Sequence, residues 1–389
     1  MKARANQGCT YVYPSFAHKT LIFPRRAGTL RPIYFKENVM AFVRHPNNPL
    51  LSPSDVNPTR GDLEILCTFN PGAVRFGGEI LLLVRVAEKP VATDDNELAT
   101  CFFDPARGEL VVLRINKKDP DLVYDDPRVF TYKKQGYLTS VSHLRLARSR
   151  DGGKTFTFDD APAMAPDCPD EMFGLEDARI TLVEGRYYIN YSAISTRGVA
   201  TRLAVTDDFK TFTKLGTMFT TNNKDIAIFP ERVRGQFVCR HRPDGGMFNK
   251  PSIWTAWSPD MIHWGQHEMT LTCTPGTWEG SRIGCGAPPI KTPEGWLEIY
   301  HAADANGRYC LGSMLSDLDR PEKVICRSSR PVLEPTTDYE TIGLYKNAIF
   351  SNGLVVDDDG VMTVYYGAAD RVVAAASCKL TDMIAAAKR

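Results

Sequence analysis

From about residue 60 onward, short apolar, β-branched or aromatic runs alternate with polar turns that carry glycine, a pattern of strands rather than helices. The plainest case is residues 174–193. An apolar run over 180–183 meets the Glu184-Gly185 turn, and an aromatic-rich strand returns over 187–191. Four further segments repeat this plan, at 71–85, 228–239, 289–301 and 353–366, and the last four turn glycines are Gly185, Gly235, Gly295 and Gly360. Between them lie hairpins of a second kind, at 143–156, 202–212, 253–264, 309–325 and 372–383. Each is a strand, an acidic turn and, in most, an aromatic return. Five inner and five outer hairpins make five four-stranded sheets, which predicts an all-β fold, a five-bladed β-propeller.

The remaining segments fit around that repeat. Residues 1–60 are irregular and proline-rich (Tyr13-Pro14, Phe23-Pro24, Arg31-Pro32, His45-Pro46) and predict an extended N-terminal segment packed on the propeller, which itself covers 61–389. An insertion over roughly 88–140 separates the first inner and outer hairpins, and residues 380–388 predict one short C-terminal helix. The 389 residues are 43% hydrophobic, enough for a large core, and the formal net charge is only +1. That balance argues against binding nucleic acid or a membrane surface through bulk charge. No apolar run is long enough to span a membrane, and the N-terminus lacks the apolar core of a secretion signal. The ten cysteines form no Cys-x-x-Cys pair, so neither a zinc site nor a redox motif is expected, and a cytoplasmic location follows most simply.

Charges beside buried strands are costly unless paired or used. The polar residues bracketing the inner hairpins differ from copy to copy. At the entries stand Asn70, Asp177, Lys224 with Asp225, Arg282, and Lys346 with Asn347; at the exits stand Arg85, Ser192, His241 with Arg242, His301 and Asp370. A structural repeat needs no different charge at each copy, whereas a binding site does. Asp177 and Asp370 opposite Lys224, Arg242, Arg282 and His301 suit a carboxylic acid acting on a glycosidic bond beside an anion such as phosphate. The alternative is a set of surface ion pairs, which contribute little stability.

Several motifs resemble those of glycoside hydrolase family 130, the β-mannoside phosphorylases and related β-mannosidases. They are Asn70-Pro71-Gly72-Ala73, Leu175-Glu176-Asp177-Ala178-Arg179-Ile180, residues 223–231, His241-Arg242-Pro243, Arg282-Ile283-Gly284, Pro288-Pro289-Ile290-Lys291-Thr292 and residues 365–370, in order over about 65–380. The resemblance implies a five-bladed propeller and an inverting phosphorylase acting on a manno-oligosaccharide or mannosyl-glucose. Inorganic phosphate would be the co-substrate, giving α-mannose 1-phosphate, with no cofactor or metal. It implies Asp177 as general acid, its proton reaching the glycosidic oxygen through a sugar hydroxyl. Asn70, Arg85 and Asp370 would hold the mannosyl unit, and Arg282, His301 and Tyr309 the phosphate. Lys224, Asp225 and Arg242 join the substrate-binding set. Lys224-Asp225 and Arg282 depart from the family pattern, and Asp225 places a negative charge near the expected phosphate. A small oligosaccharide is then the partner, and a homo-oligomer is compatible with this reading.

A hydrolase of the same family would need a carboxylate to activate water, and Glu231 or Glu279 could serve. The other expectation for these two is a structural turn residue and a solvated side chain. The segment 149–156 resembles a sialidase Asp-box, more simply a structural turn. Asp357-Asp358-Asp359-Gly360 lacks the onward ligands of a calcium loop. A non-enzymatic glycan-binding propeller would predict a channel of single sign or no charge.

Overall fold

The computed structural model describes residues 42–389, so most of the expected N-terminal segment lies outside the described residues. β1 (Val43–Arg44) is followed by the long hairpin β2 (Leu63–Phe76) and β3 (Glu79–Pro90). The insertion then contributes the pair β4 (Glu97–Asp104) and β5 (Glu109–Asn116), and the three-stranded sheet β6 (Leu122–Asp126), β7 (Val129–Tyr132) and β8 (Gln135–Leu138). β9 (Val141–Ser149) returns to β3, and β10 (Thr157–Phe158) pairs with β9. The second meander is β11 (Gly174–Val183), β12 (Arg186–Ser195), β13 (Gly198–Thr206) and β14 (Thr213–Phe219). The third is β15 (Asn223–Ile228), β16 (Phe237–Pro243), β17 (Ile253–Ser258) and β18 (Gly265–Leu271). In the fourth, β19 (Arg282–Cys285) and β20 (Ile290–Thr292) both pair with β21 (Gly295–Ala303), which continues to β22 (Tyr309–Ser316) and β23 (Val324–Arg327). A short helix, α1 (Asp338–Thr341), leads into β24 (Ile349–Val356), β25 (Val361–Ala368) and β26 (Val372–Lys379), and α2 (Leu380–Ala387) follows. The protein is thus all-β, with the short helix expected near residue 380.

The split in the fourth meander has a local cause. Gly286-Ala287-Pro288-Pro289 puts two prolines where ladder donors are needed, and proline has no N–H to give. The outer turns share a different device. Asp151, Asp208, Asp260 and Asp317 each accept hydrogen bonds from two backbone amides of their own turn. The Asp-box segment is one of these turns, with Asp151 also accepting from Ser149 and Thr155.

The fifth meander departs from the expected plan. After β26 the chain turns into α2 instead of an outer strand, and β1 takes the outer place, pairing antiparallel with β26. The described part of the N-terminal segment is tied down further along. Asn48 donates to the Ala375 carbonyl at 2.8 Å, Leu51 bridges Val373, and Thr59 donates to Glu88 through its backbone and its hydroxyl.

The sheets pack on one another through apolar faces. Leu83, Leu144, Ile180 and Ile189 join the first meander to the second; Val183, Leu203, Ile226 and Cys239 the second to the third. Ala227, Ile253, Ile283 and Tyr300 join the third to the fourth, and Ile299, Leu311, Val364 and Tyr366 the fourth to the fifth. Leu82, Val84, Val355 and Tyr365 join the fifth to the first. These side chains are all buried, and their removal from water is the main favourable contribution to the fold.

Candidate active site

β2, β11 and β15 are interrupted by a bulge at a corresponding place, where the register against the next strand shifts between Phe69 and Gly72, Glu176 and Arg179, and Lys224 and Ala227. In each bulge a short polar residue takes left-handed backbone: Asn70 at φ 48°, Asp177 at 53° and Asp225 at 54°. Asn and Asp tolerate that conformation better than other side-chain-bearing residues, and a bulge re-aims the side chain it carries. Two glycines make room for the result. A Cβ at Gly367 would collide with the Asn70 side chain, and one at Gly284 would stand 2.5 Å from both Asp225 and His301.

The bulges border a cavity of about 350 Å³. By chemistry the lining divides into an acid-bearing wall, Asn70, Arg85, Glu176, Asp177 and Asp370, and a cationic wall, Lys224, Arg242 and Arg282 with Tyr309. Asp177 Oδ1 accepts from Asn70 Nδ2 at 2.9 Å and from Arg85 Nη1 at 3.2 Å, while Arg85 Nη2 donates to Glu176 at 2.5 Å. Burial works against ionisation of Asp177, but Arg85, Lys224 and the Asn70 hydrogen bond outweigh it and hold the carboxyl below its usual range. Burial pushes Glu176 up despite Arg85, and the Asp177 charge adds to the rise. Burial likewise pushes Asp370 up to about 6, against the pull of Arg85 and with a further push from Asp177.

The other group is cationic. Among the described residues Lys224 and Arg282 pair with no carboxylate, and the Arg282 guanidinium lies over the Tyr309 ring at 5.8 Å. Arg242 is tied to Asp225 at 2.8 Å.

A family model described as a β-1,4-mannooligosaccharide phosphorylase matches residues 114–389. The chain belongs to glycoside hydrolase family 130. Relatives in the family include a β-1,2-mannobiose phosphorylase of Listeria innocua, 38% identical over 89% of this chain and 98% of its own. A 1,2-β-oligomannan phosphorylase of a Thermoanaerobacter species is also 38% identical, over 78% of this chain and 99% of its own. The solved structure of the Listeria β-1,2-mannobiose phosphorylase with β-1,2-mannobiose superposes with a TM-score of 0.85, at 37% identity, covering 89% of this chain and 99% of that one.

Within this family 130 chain, eight of the residues picked out by sequence line the cavity: Asn70, Arg85, Asp177, Lys224, Arg242, Arg282, Tyr309 and Asp370. Asp225 and His301 do not. They stand behind the wall, His301 Nε2 3.1 Å from Asp225 Oδ2, with Arg179 at 3.6 Å from the same carboxylate. The negative charge expected near phosphate is therefore taken up by arginines, which overcome burial and hold Asp225 well below the carboxylate range. Burial lowers His301 to about 4, so it is a neutral ring near pH 7 and not part of the cationic wall.

Glu231 and Glu279 lie outside the cavity. Glu231 is exposed and paired with Lys291 at 2.5 Å. Glu279, expected to be solvated, is buried, receiving Tyr300 OH at 2.5 Å and Arg327 at 3.1 Å. Arg179 donates to the carbonyls of Asp177, Cys285 and Gly286. Sequence reasoning missed Arg128 and Tyr345, which reach the cavity from the insertion and from the loop before β24. Neither falls at a repeat position, so the repeat gave no signal for them. Arg128, gripped by Asp126, lies over the Tyr345 ring at 5.1 Å.

Proposed function

We infer that this protein cleaves β-mannosides by phosphorolysis, releasing α-mannose 1-phosphate with inversion. The observation that carries the reading is that one cavity is lined by a buried carboxylate, Asp177, and by three cations, of which Lys224 and Arg282 form no salt bridge among the described residues. Lys224, Arg242 and Arg282 offset the charge of a phosphate dianion and aim it at the anomeric carbon; phosphate is the nucleophile, so no second catalytic carboxylate is required. Asn70, Arg85 and Asp370 hold the mannosyl unit, and Asp177 is the general acid. In the free protein Asp177 is held as a carboxylate. A bound sugar that excludes water and a dianion on the opposite wall both favour its protonated form, so substrate binding itself arms the acid. His301 and Asp225 act by orienting Arg242 from behind.

The substrate is a β-1,2-linked mannobiose or short oligomannan, a reading supported by the names of the two relatives that cover most of the chain. Hydrolysis is disfavoured because Glu231 and Glu279 both lie away from the cavity. The architecture is a five-bladed propeller, supported by five meanders whose apolar faces meet in cyclic order, the fifth on the first. No helix among the described residues is long and apolar enough to cross a membrane. The nine cysteines among the described residues are all unpaired, which fits the reducing cytoplasm.

The deciding experiment incubates the protein with β-1,2-mannobiose with and without inorganic phosphate. Mannose 1-phosphate should form only with phosphate. Equal release of mannose in its absence would replace this reading with hydrolysis.

A further inference from the structure

Beside the first cavity lies a second, also of about 350 Å³. The two share three side chains, and these are Lys224, Arg242 and Arg282. The sugar-side residues Asn70, Arg85, Asp177 and Asp370 border only the first cavity, whereas Val199, Asn222 and Pro251 border only the second. The same three cations therefore border both cavities.

We propose that the second cavity is a separate vestibule through which inorganic phosphate reaches the cations while the mannoside occupies the first. The proposal rests on the phosphorolytic reading above. In an inverting displacement the nucleophile and the leaving sugar lie on opposite faces of the mannosyl ring, so phosphate entering through the first cavity would have to pass the sugar. From the second cavity it meets Lys224 and Arg282, neither in a salt bridge among the described residues, without crossing the sugar site. One carboxylate, Asp244, stands on this side; it is exposed, and its Oδ1 accepts the Gly246 amide at 3.0 Å. Lys224 and Arg282 outweigh it even with Arg242 balanced by Asp225, and a tetrahedral oxyanion is small enough to enter where a disaccharide gains fewer partners than beside Asn70, Arg85, Asp177 and Asp370. The kinetic consequence is that phosphate and mannoside bind in either order.

Val199 is the place to test this. It is partly buried at the start of β13, and its contact with Asn222 is made by its backbone N–H at 3.0 Å, which a substitution keeps. Initial rates are measured with mannobiose and phosphate both varied. The unmodified enzyme should show no inhibition by high mannobiose. Val199→Trp, which plugs the vestibule, should show mannobiose inhibition relieved by phosphate, the phosphate needed for half-maximal rate at high mannobiose rising at least about fivefold. Its initial rate at low mannobiose and high phosphate should stay near that of the unmodified enzyme, and Val199→Ala should behave as unmodified. Three results overturn the proposal: mannobiose inhibition competitive with phosphate already in the unmodified enzyme, no such inhibition in Val199→Trp, or a rise in mannobiose KM instead, which would give the second cavity to sugar. The first of these needs no variant and decides even where Val199→Trp fails to fold. Turnover without phosphate dependence in the unmodified enzyme would instead remove the phosphorylase reading itself.

Discussion

The bulges of β11 and β15 share a backbone and differ in use. Asp177 and Asp225 have left-handed φ values within a degree of each other, both are buried, and both are approached by arginine. Asp177 is met by Asn70 and Arg85 from one side and borders the cavity on the other. Asp225 is enclosed by Arg242, His301 and Arg179 and does not line this cavity. The cross-strand register accounts for much of the difference. Glu176, just before Asp177, stands opposite the small Ser192, whereas Lys224, just before Asp225, stands opposite Arg242. One bulge therefore presents a carboxylate to the cavity, and the other spends its carboxylate on keeping a cation there. The same local geometry yields an acid or a support according to what the next strand places across from it.

Substitutions can break this contrast. Asp177→Asn should lower kcat by about 10²–10⁴-fold, the usual contribution of a positioned acid, with a smaller loss of stability than Asp225→Ala because Arg85 keeps Glu176 as a partner. A loss of stability with intact turnover would make Asp177 the structural member of the pair. Asp225→Ala should do the opposite first. It strands Arg242 and Arg179 without their counter-charge, at a cost of about 3–5 kcal/mol in denaturant unfolding. Unchanged stability would mean that Asp225 is not the support described here. Arg282→Ala removes a charge-assisted contact to phosphate and should raise phosphate KM by about 10–100-fold while moving mannoside KM little. An equal rise in both would count against a division of the cavity into two walls.

Asp370 sharpens the same contrast through pH. Its folded-state value of about 6 lies above the ordinary 3.8, so the native protein binds a proton more tightly than the unfolded chain does. Stability from this group therefore falls as pH rises from about 4 to 6 and stays reduced above that, by up to about 3 kcal/mol. Asp370→Asn should be more stable than the unmodified protein at pH 7.5, less active, and no more stable near pH 3.5; a gain independent of pH would point to packing instead. The smallest effect belongs to Glu231→Gln. It breaks only the exposed pair with Lys291 and should change stability by no more than about 1 kcal/mol and phosphorolysis hardly at all. A large loss of turnover would revive it as a base.

Much of this was legible because the repeat is short and regular. Comparing equivalent offsets was enough to select Asn70, Arg85, Asp177, Lys224, Arg242, Arg282 and Asp370, which one cavity brings together. What the offsets could not convey was depth. Asp225 follows the cavity residue Lys224 and His301 stands at an equivalent offset of its repeat, yet the left-handed turn at Asp225 and the missing side chain at Gly284 let them meet behind the wall. Glu279 looked solvated because Trp278-Glu279-Gly280-Ser281 reads as a polar turn; its burial comes from Tyr300 and Arg327, both distant in sequence. Arg128 and Tyr345 were invisible for a similar reason, since they meet only when the insertion and the loop before β24 arrive at the same rim. The strand β1 was hidden inside a stretch that reads as proline-rich coil.

That strand also sets a timetable. Asn48 bonds to Ala375, a partner 327 positions away, and β1 waits for β26 before its own backbone groups are satisfied. During synthesis the first four meanders can gather their apolar faces as they emerge, but the fifth has no outer edge until its last strand meets a segment made before any of them. Until then β26 offers unpaired N–H and C=O groups to any neighbouring chain. The last seam to close is therefore also the one through which nascent copies of this protein can capture each other.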